Sequence, residues 1–146
     1  MARFNILSFN IKLKNNINYN IITQIVTCTG QERFLPTREY ILDGADGIIF
    51  VGDSDIEKSD QNKRSFRELI SFAKPRDIPF VIQLNKRDLK GAITIKDFKK
   101  LLGLPNIDKY PDGTLVVYPA TAIQGQNVTI CFQDLMIKVI SNYFQR

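Results

Sequence analysis

The chain has 146 residues, 44% of them hydrophobic, with a formal net charge of +5, two cysteines and no histidine. That length suits a single domain over residues 1–146 with a sizeable core, and the missing histidines and scarce cysteines exclude a disulfide framework, a zinc site and Ser-His-Asp catalysis. The positive charge is spread over Lys12, Lys14, Arg64, Arg76, Lys86, Lys90, Lys99 and Lys138 rather than gathered into an aromatic-interleaved stripe, so neither DNA nor RNA is expected as a partner.

Residues 3–13 alternate Asn5, Leu7, Phe9, Ile11 and Leu13 against Phe4, Ile6, Ser8, Asn10 and Lys12, the period of a strand expected to be mostly covered. Asn5, Asn10 and Lys12 interrupt any signal-peptide core, and no apolar run approaches the roughly 20 residues that cross a bilayer. A cytoplasmic protein is expected. Lys14-Asn15-Asn16-Ile17-Asn18 has turn chemistry, and residues 19–26 read as a second strand, giving an N-terminal β-hairpin. After Thr27-Cys28-Thr29-Gly30-Gln31-Glu32-Arg33-Phe34, Pro36 suits the start and Gly44 the end of a short helix.

Gly47-Ile48-Ile49-Phe50-Val51 is apolar on both faces, as in a buried parallel strand. Residues 58–73 place Phe66, Leu69, Ile70 and Ala73 at helical spacing. Phe80-Val81-Ile82-Gln83-Leu84 is the next buried strand, followed by Asn85-Lys86-Arg87-Asp88. Thr94 with Asp97 predicts a capped helix that Gly103 closes. Residues 114–118 form a further strand, and Phe132, Leu135, Met136, Val139, Ile140 and Tyr143 mark the packing face of a final helix over 127–143. The order β-β-α-β-α-β-α-β-α calls for an α/β fold of three layers, a mostly parallel sheet between helices.

Ligands in such sheets gather beyond the carboxyl ends of the strands, and Asp88 stands there. A carboxylate accepts together from the N1–H and N2 amino group of guanine, whereas the unprotonated N1 of adenine repels it. Asn85-Lys86-Arg87-Asp88 matches the N-K-x-D motif of the small GTPases, and Thr27-x-x-Gly30-Gln31 resembles the switch II of their MglA-like branch. Thr121-Ala122-Ile123 is loosely similar to the S-A-K loop. The chain is thereby identified as resembling the small Ras-like GTPase superfamily over nearly its whole length. The resemblance implies that Asn85 braces the loops and that the Lys86 stem lies along the base. It gives Ala122 a backbone bond to guanine O6, with Thr121 beside it. Gly30 would read the γ-phosphate, and Gln31 would orient the attacking water if a phosphate loop completes the site.

The same resemblance marks a departure: no Gly-Lys-Ser/Thr occurs in the 146 residues, and the chain opens on what resembles the family's second strand. Gly47-Ile48-Ile49-Phe50-Val51-Gly52-Asp53-Ser54 has the glycine spacing of a phosphate loop, but its interior is a strand and Asp53 stands where a lysine is required. The first strand, phosphate loop and switch I are thus expected to be missing, and the two strands flanking that gap must pair directly or leave a slot. The expectation is a pseudo-GTPase interaction module with weak or no GTP/GDP binding and no magnesium site. Its expected partner is a roadblock-type (MglB-like) protein, with self-association or strand complementation at the open sheet. The alternative is a GTPase switch whose phosphate loop is supplied by another polypeptide or lies outside this sequence.

Overall fold

The computed structural model describes residues 3–12, 16–28 and 35–145. They divide into two compact units, Met1–Gly44 and Ala45–Arg146.

In the first unit, β1 (Arg3–Lys12) and β2 (Asn18–Thr27) pair antiparallel from Arg3↔Thr27 to Lys12↔Asn18. Helix α1 (Leu35–Asp43) follows, with Pro36 in its first turn as expected. Along β2 the face bearing Tyr19, Ile21, Thr23 and Ile25 is half-buried, while Asn18, Asn20, Ile22 and Gln24 are exposed. The expectation that the first strand is covered fails: Ile6 is 70% and Leu7 44% exposed although they point to opposite faces. Alternation reports that a strand forms, but a ribbon with two strands among the described residues has little of its own to bury.

The second unit is a parallel sheet in the order β3 (Ile48–Asp53), β4 (Phe80–Asn85), β5 (Tyr118–Pro119). Helix α2 (Ser59–Ala73) connects β3 to β4, α3 (Ile95–Leu102) lies between β4 and β5, and α4 (Val128–Gln145) ends the chain. Because side chains alternate across a strand, the two faces of the sheet build two cores. Phe50, Ile82 and Leu84 meet Phe66, Leu69 and Ala73 of α2 and Phe98 of α3. Ile49 and Val81 meet Cys131, Leu135 and Val139 of α4, together with Tyr118. These are the three layers expected from the order of elements.

Helix α3 ends as the sequence reads. Thr94 Oγ1 accepts from Asp97 N–H at 3.0 Å, and Gly103 takes φ 68° at the C-terminus. Two strands differ from expectation. Val51 is 55% exposed, since α4 covers Ile49 on that face but does not extend over Val51. The strand expected at 114–118 pairs in parallel only at Tyr118 and Pro119. The preceding backbone bonds backwards: Tyr110 N–H donates to Thr114 O and Val116 N–H to Asp108 O. On α4, Tyr143 is 75% exposed rather than packed, because the helix runs on past Val139, the last of its residues in this core.

Gly52 is where two layers come closest. A Cβ there would lie 2.6 Å from Cζ and 3.0 Å from Cε2 of Phe98, whose ring is fully buried and has nowhere to withdraw. Gly52→Ala is expected to destabilise by about 1–3 kcal/mol, read as a lower urea midpoint with an unchanged slope.

The α4 core also sets an alkaline limit. Burial, with the Asp134 charge added, pushes the Cys131 thiol from an ordinary 9.0 up to about 12. Burial likewise raises the Tyr118 phenol, whose hydroxyl donates to Asp134 Oδ2 at 2.5 Å. A group with a raised folded-state pKa contributes stability that is complete below its unfolded value and is lost as pH rises through the folded one. Stability is therefore expected to decline from about pH 9 towards pH 12. Cys131→Ala should flatten part of that limb in urea titrations at stepped pH.

Candidate functional site

All three parallel strands end on one side of the sheet, and their exit loops are stitched together by backbone. Ser54 N–H donates to Asn85 O at 3.1 Å, Ala120 N–H to Leu84 O at 2.8 Å, and Arg87 N–H to Ala120 O at 3.1 Å. The loops after β3, β4 and β5 thus form one rim.

Asn85 Oδ1 accepts from Ala122 N–H at 2.8 Å, which ties the loop after β4 to the loop after β5. The same bond engages the amide that the resemblance assigns to guanine O6. Lys86 takes φ 63°, a left-handed backbone that costs an L-residue about 1–2 kcal/mol. Its ammonium donates to Asp53 Oδ2 at 2.8 Å. Asp88 is exposed, and its carboxylate accepts no hydrogen bond from the described residues. Thr121 is buried; its carbonyl accepts from Gln124 and Gln126 N–H, which folds the third loop into a short turn and presents Ala122 and Ile123. Ile123 is 89% exposed.

Asn85, Lys86, Asp88, Thr121 and Ala122 are therefore brought into adjoining loops. Gly30 and Gln31 lie outside the described residues, as does most of the switch-like loop around them.

Four residues that sequence reading passes over hold this rim. Asn62, buried on α2, accepts from Asp53 N–H at 3.0 Å and donates to Asp53 O at 2.8 Å, completing the backbone pairing at the end of β3. The Asp53 carboxylate then divides its oxygens between Asp55 N–H, at 3.0 Å, and Lys86. Ser54 is fully buried: its hydroxyl donates to Asn85 O at 2.5 Å and its carbonyl accepts from Ile93 N–H at 2.8 Å. Arg87, the variable position of the motif, donates to Ser54 Oγ at 3.1 Å and to Ile93 O at 2.5 Å. In the sequence, Asp53 and Ser54 read only as the tail of a false phosphate-loop spacing, and an asparagine inside a helix gives no signal for its role.

The electrostatics agree with the geometry. Burial alone would raise the Asp53 carboxyl, but the Lys86 hydrogen bond, the Asp55 amide and the charges of Lys86 and Lys58 together hold it below its usual value. Lys86 is pushed up, first by the hydrogen bond and charge of Asp53 and further by Asp55 and Asp88. Chemically, the rim offers an acceptor-only carboxylate that is free to receive two donors, beside an alkyl stem anchored at its charged end. That combination fits a flat heterocycle with adjacent N–H groups. No group of three His, Cys, Asp or Glu among the described residues could hold a metal ion, and none of their helices is long and apolar enough to cross a membrane.

The sequence profile of the ADP-ribosylation factor family matches residues 5–139. Among curated proteins, the chain is 41% identical over 91 residues to the mutual gliding-motility protein MglA of Myxococcus xanthus, covering 59% of this chain and 47% of that protein. It is 31% identical over 120 residues to human ADP-ribosylation factor-like protein 4C, covering 82% and 62% respectively. With human ADP-ribosylation factor-like protein 4A it shares 30% identity over 100 residues, 68% of this chain and 49% of that protein. The chain thus spans about half the length of the curated relatives it matches.

Proposed function

Because the chain belongs to the ADP-ribosylation factor family of small GTPases, we propose that it is a small-GTPase-like interaction module that keeps guanine recognition and holds nucleotide weakly by itself. The observation that carries this reading is the unengaged Asp88 carboxylate, set beside Asn85, Lys86, Thr121 and Ala122 at the carboxyl ends of the parallel strands. The 146 residues are read as part of one such G domain.

Family members bind GTP or GDP with magnesium, chiefly through the phosphates. The base-binding half of that requirement fits the described residues. The phosphate half calls for a Gly-Lys-Ser/Thr loop, and none occurs in this sequence. Two charge-assisted hydrogen bonds to the base, at about 1.5–3 kcal/mol each, support no better than roughly millimolar affinity once the cost of association is subtracted. The Ala122 amide weakens the site further, since it must leave Asn85 Oδ1 before it can donate to a base carbonyl. In this reading Gln31 is a catalytic residue, and Gly30 a phosphate reader, only when a phosphate loop completes the site. The protein acts in the cytoplasm through its surfaces, with a roadblock-type protein as the partner suggested by its similarity to MglA.

A second reading is favoured by β3, which carries a ladder partner on one edge alone among the described residues. An unpaired apolar strand invites strand addition, so a segment bearing a phosphate loop, from another polypeptide or from outside this sequence, could restore a working switch. Calorimetric titration of GTP with magnesium, with ATP as control, separates the two. No binding up to about 1 mM supports the interaction module. Guanine-selective binding at micromolar or tighter affinity rejects it.

A further inference from the structure

The Lys86 ammonium has two carboxylates within its electrostatic reach besides that of Asp55. It is bonded to Asp53, on the neighbouring strand end, and it feels the charge of Asp88, two residues along its own loop. Its side chain is 54% exposed and, without a partner for the ammonium, its stem is free to swing, so which carboxylate it pairs with is decided by Asp53. Resting on the guanine reading above, we propose that Asp53 is a positioning residue for base recognition: it holds the Lys86 ammonium away from Asp88 and leaves that carboxylate free to accept from the base.

Asp53 is built for this role in three ways. Its backbone is bracketed by the buried Asn62 amide through both N–H and C=O, so the carboxylate starts from a fixed point at the end of β3. Its Oδ1 is engaged by Asp55 N–H, which sets the rotation of the group and aims Oδ2 at Lys86. And Lys86 begins from a left-handed backbone, with both ends of its stem anchored, so the stem is a fixed wall rather than a tether. The competing acceptors differ in their engagement. Asp55 Oδ1 already receives Glu57 N–H, whereas Asp88 receives nothing from the described residues. An ammonium released from Asp53 therefore turns to Asp88, where it occupies the oxygens needed for guanine N1–H and the N2 amino group. The nearby Lys58 adds positive charge at Asp53.

The test uses the full chain and amide NMR titrations with GMP and IMP, which differ only by the N2 amino group. Asp53→Asn keeps the shape and the Asp55 bond but removes the charge. The wild type should prefer GMP over IMP by about tenfold, the discrimination of one charge-assisted bond. D53N should weaken GMP about tenfold and bring the preference near unity, while Asp53→Glu restores part of it. Placed on Lys86→Met, which lacks an ammonium to misdirect, D53N should change nothing further. Two results overturn the inference while leaving the guanine reading intact: D53N with wild-type preference, or a D53N effect as large on K86M as on wild type. A wild type that does not prefer GMP overturns both.

Discussion

Phe98→Ala is expected to lower the unfolding free energy by about 3–5 kcal/mol, most of the stability of a domain at the low end of the usual range of about 5–15 kcal/mol. The ring is fully buried at the point where α3, β3 and β4 meet, and its edge rests on Gly52, where the missing Cβ leaves room for it. Truncation removes the transfer energy of the ring and leaves a cavity that the flanking Leu84 and Phe66 fill only in part. The loss should appear in urea denaturation as a lower midpoint with an unchanged slope. Phe98→Leu, which refills much of the volume, should recover more than half of it. The effect should also reach the rim, because Gly52 precedes Asp53 and the ring supports the strand from which the Asp53 carboxylate projects. A loss below about 1 kcal/mol would mean that α3 is not a structural wall of this core.

Gly52 and Phe98 show where sequence reading stops. Local patterns announce themselves: β4 is apolar at Phe80, Val81, Ile82 and Leu84 and is buried at each of its four central positions, and Thr94, Asp97 and Gly103 bracket α3 as their chemistry requires. The N-K-x-D match is legible for the same reason, since Asn85, Lys86 and Asp88 stand within four residues of one another. What could not be read is what depends on partners far along the chain. Ile6 and Val51 have apolar identities that say nothing of whether a covering layer reaches them. Residues 114–117 look like a strand by composition, yet their backbone finds partners at Asp108 and Tyr110 before it reaches β4. The clamp of Asn62 on Asp53 joins residues nine apart through side-chain amide geometry that no periodicity encodes. Arg87 is a variable position in its motif, so its ties to Ser54 and Ile93 come from this chain alone.

Substitution at Asp88 separates a read base from a retained motif. Asp88→Asn should convert the guanine preference into a xanthine preference, shifting the XMP-to-GMP affinity ratio on the order of a hundredfold. Guanine offers two adjacent donors, N1–H and the N2 amino group, and a carboxylate accepts both. A carboxamide keeps one acceptor for N1–H but turns a donor towards position 2, where guanine also donates and the two groups repel. Xanthine has a carbonyl there, so the same carboxamide is matched. The change should not disturb the fold, because Asp88 is exposed and makes no hydrogen bond with the described residues; its unfolding free energy should stay within about 0.5 kcal/mol of wild type. That contrast makes D88N a cleaner probe than any substitution at Asn85, whose Oδ1 holds the Ala122 loop in place. If D88N binds GMP and XMP with the wild-type ratio, the carboxylate does not read the base, and the N-K-x-D rim is a loop brace alone.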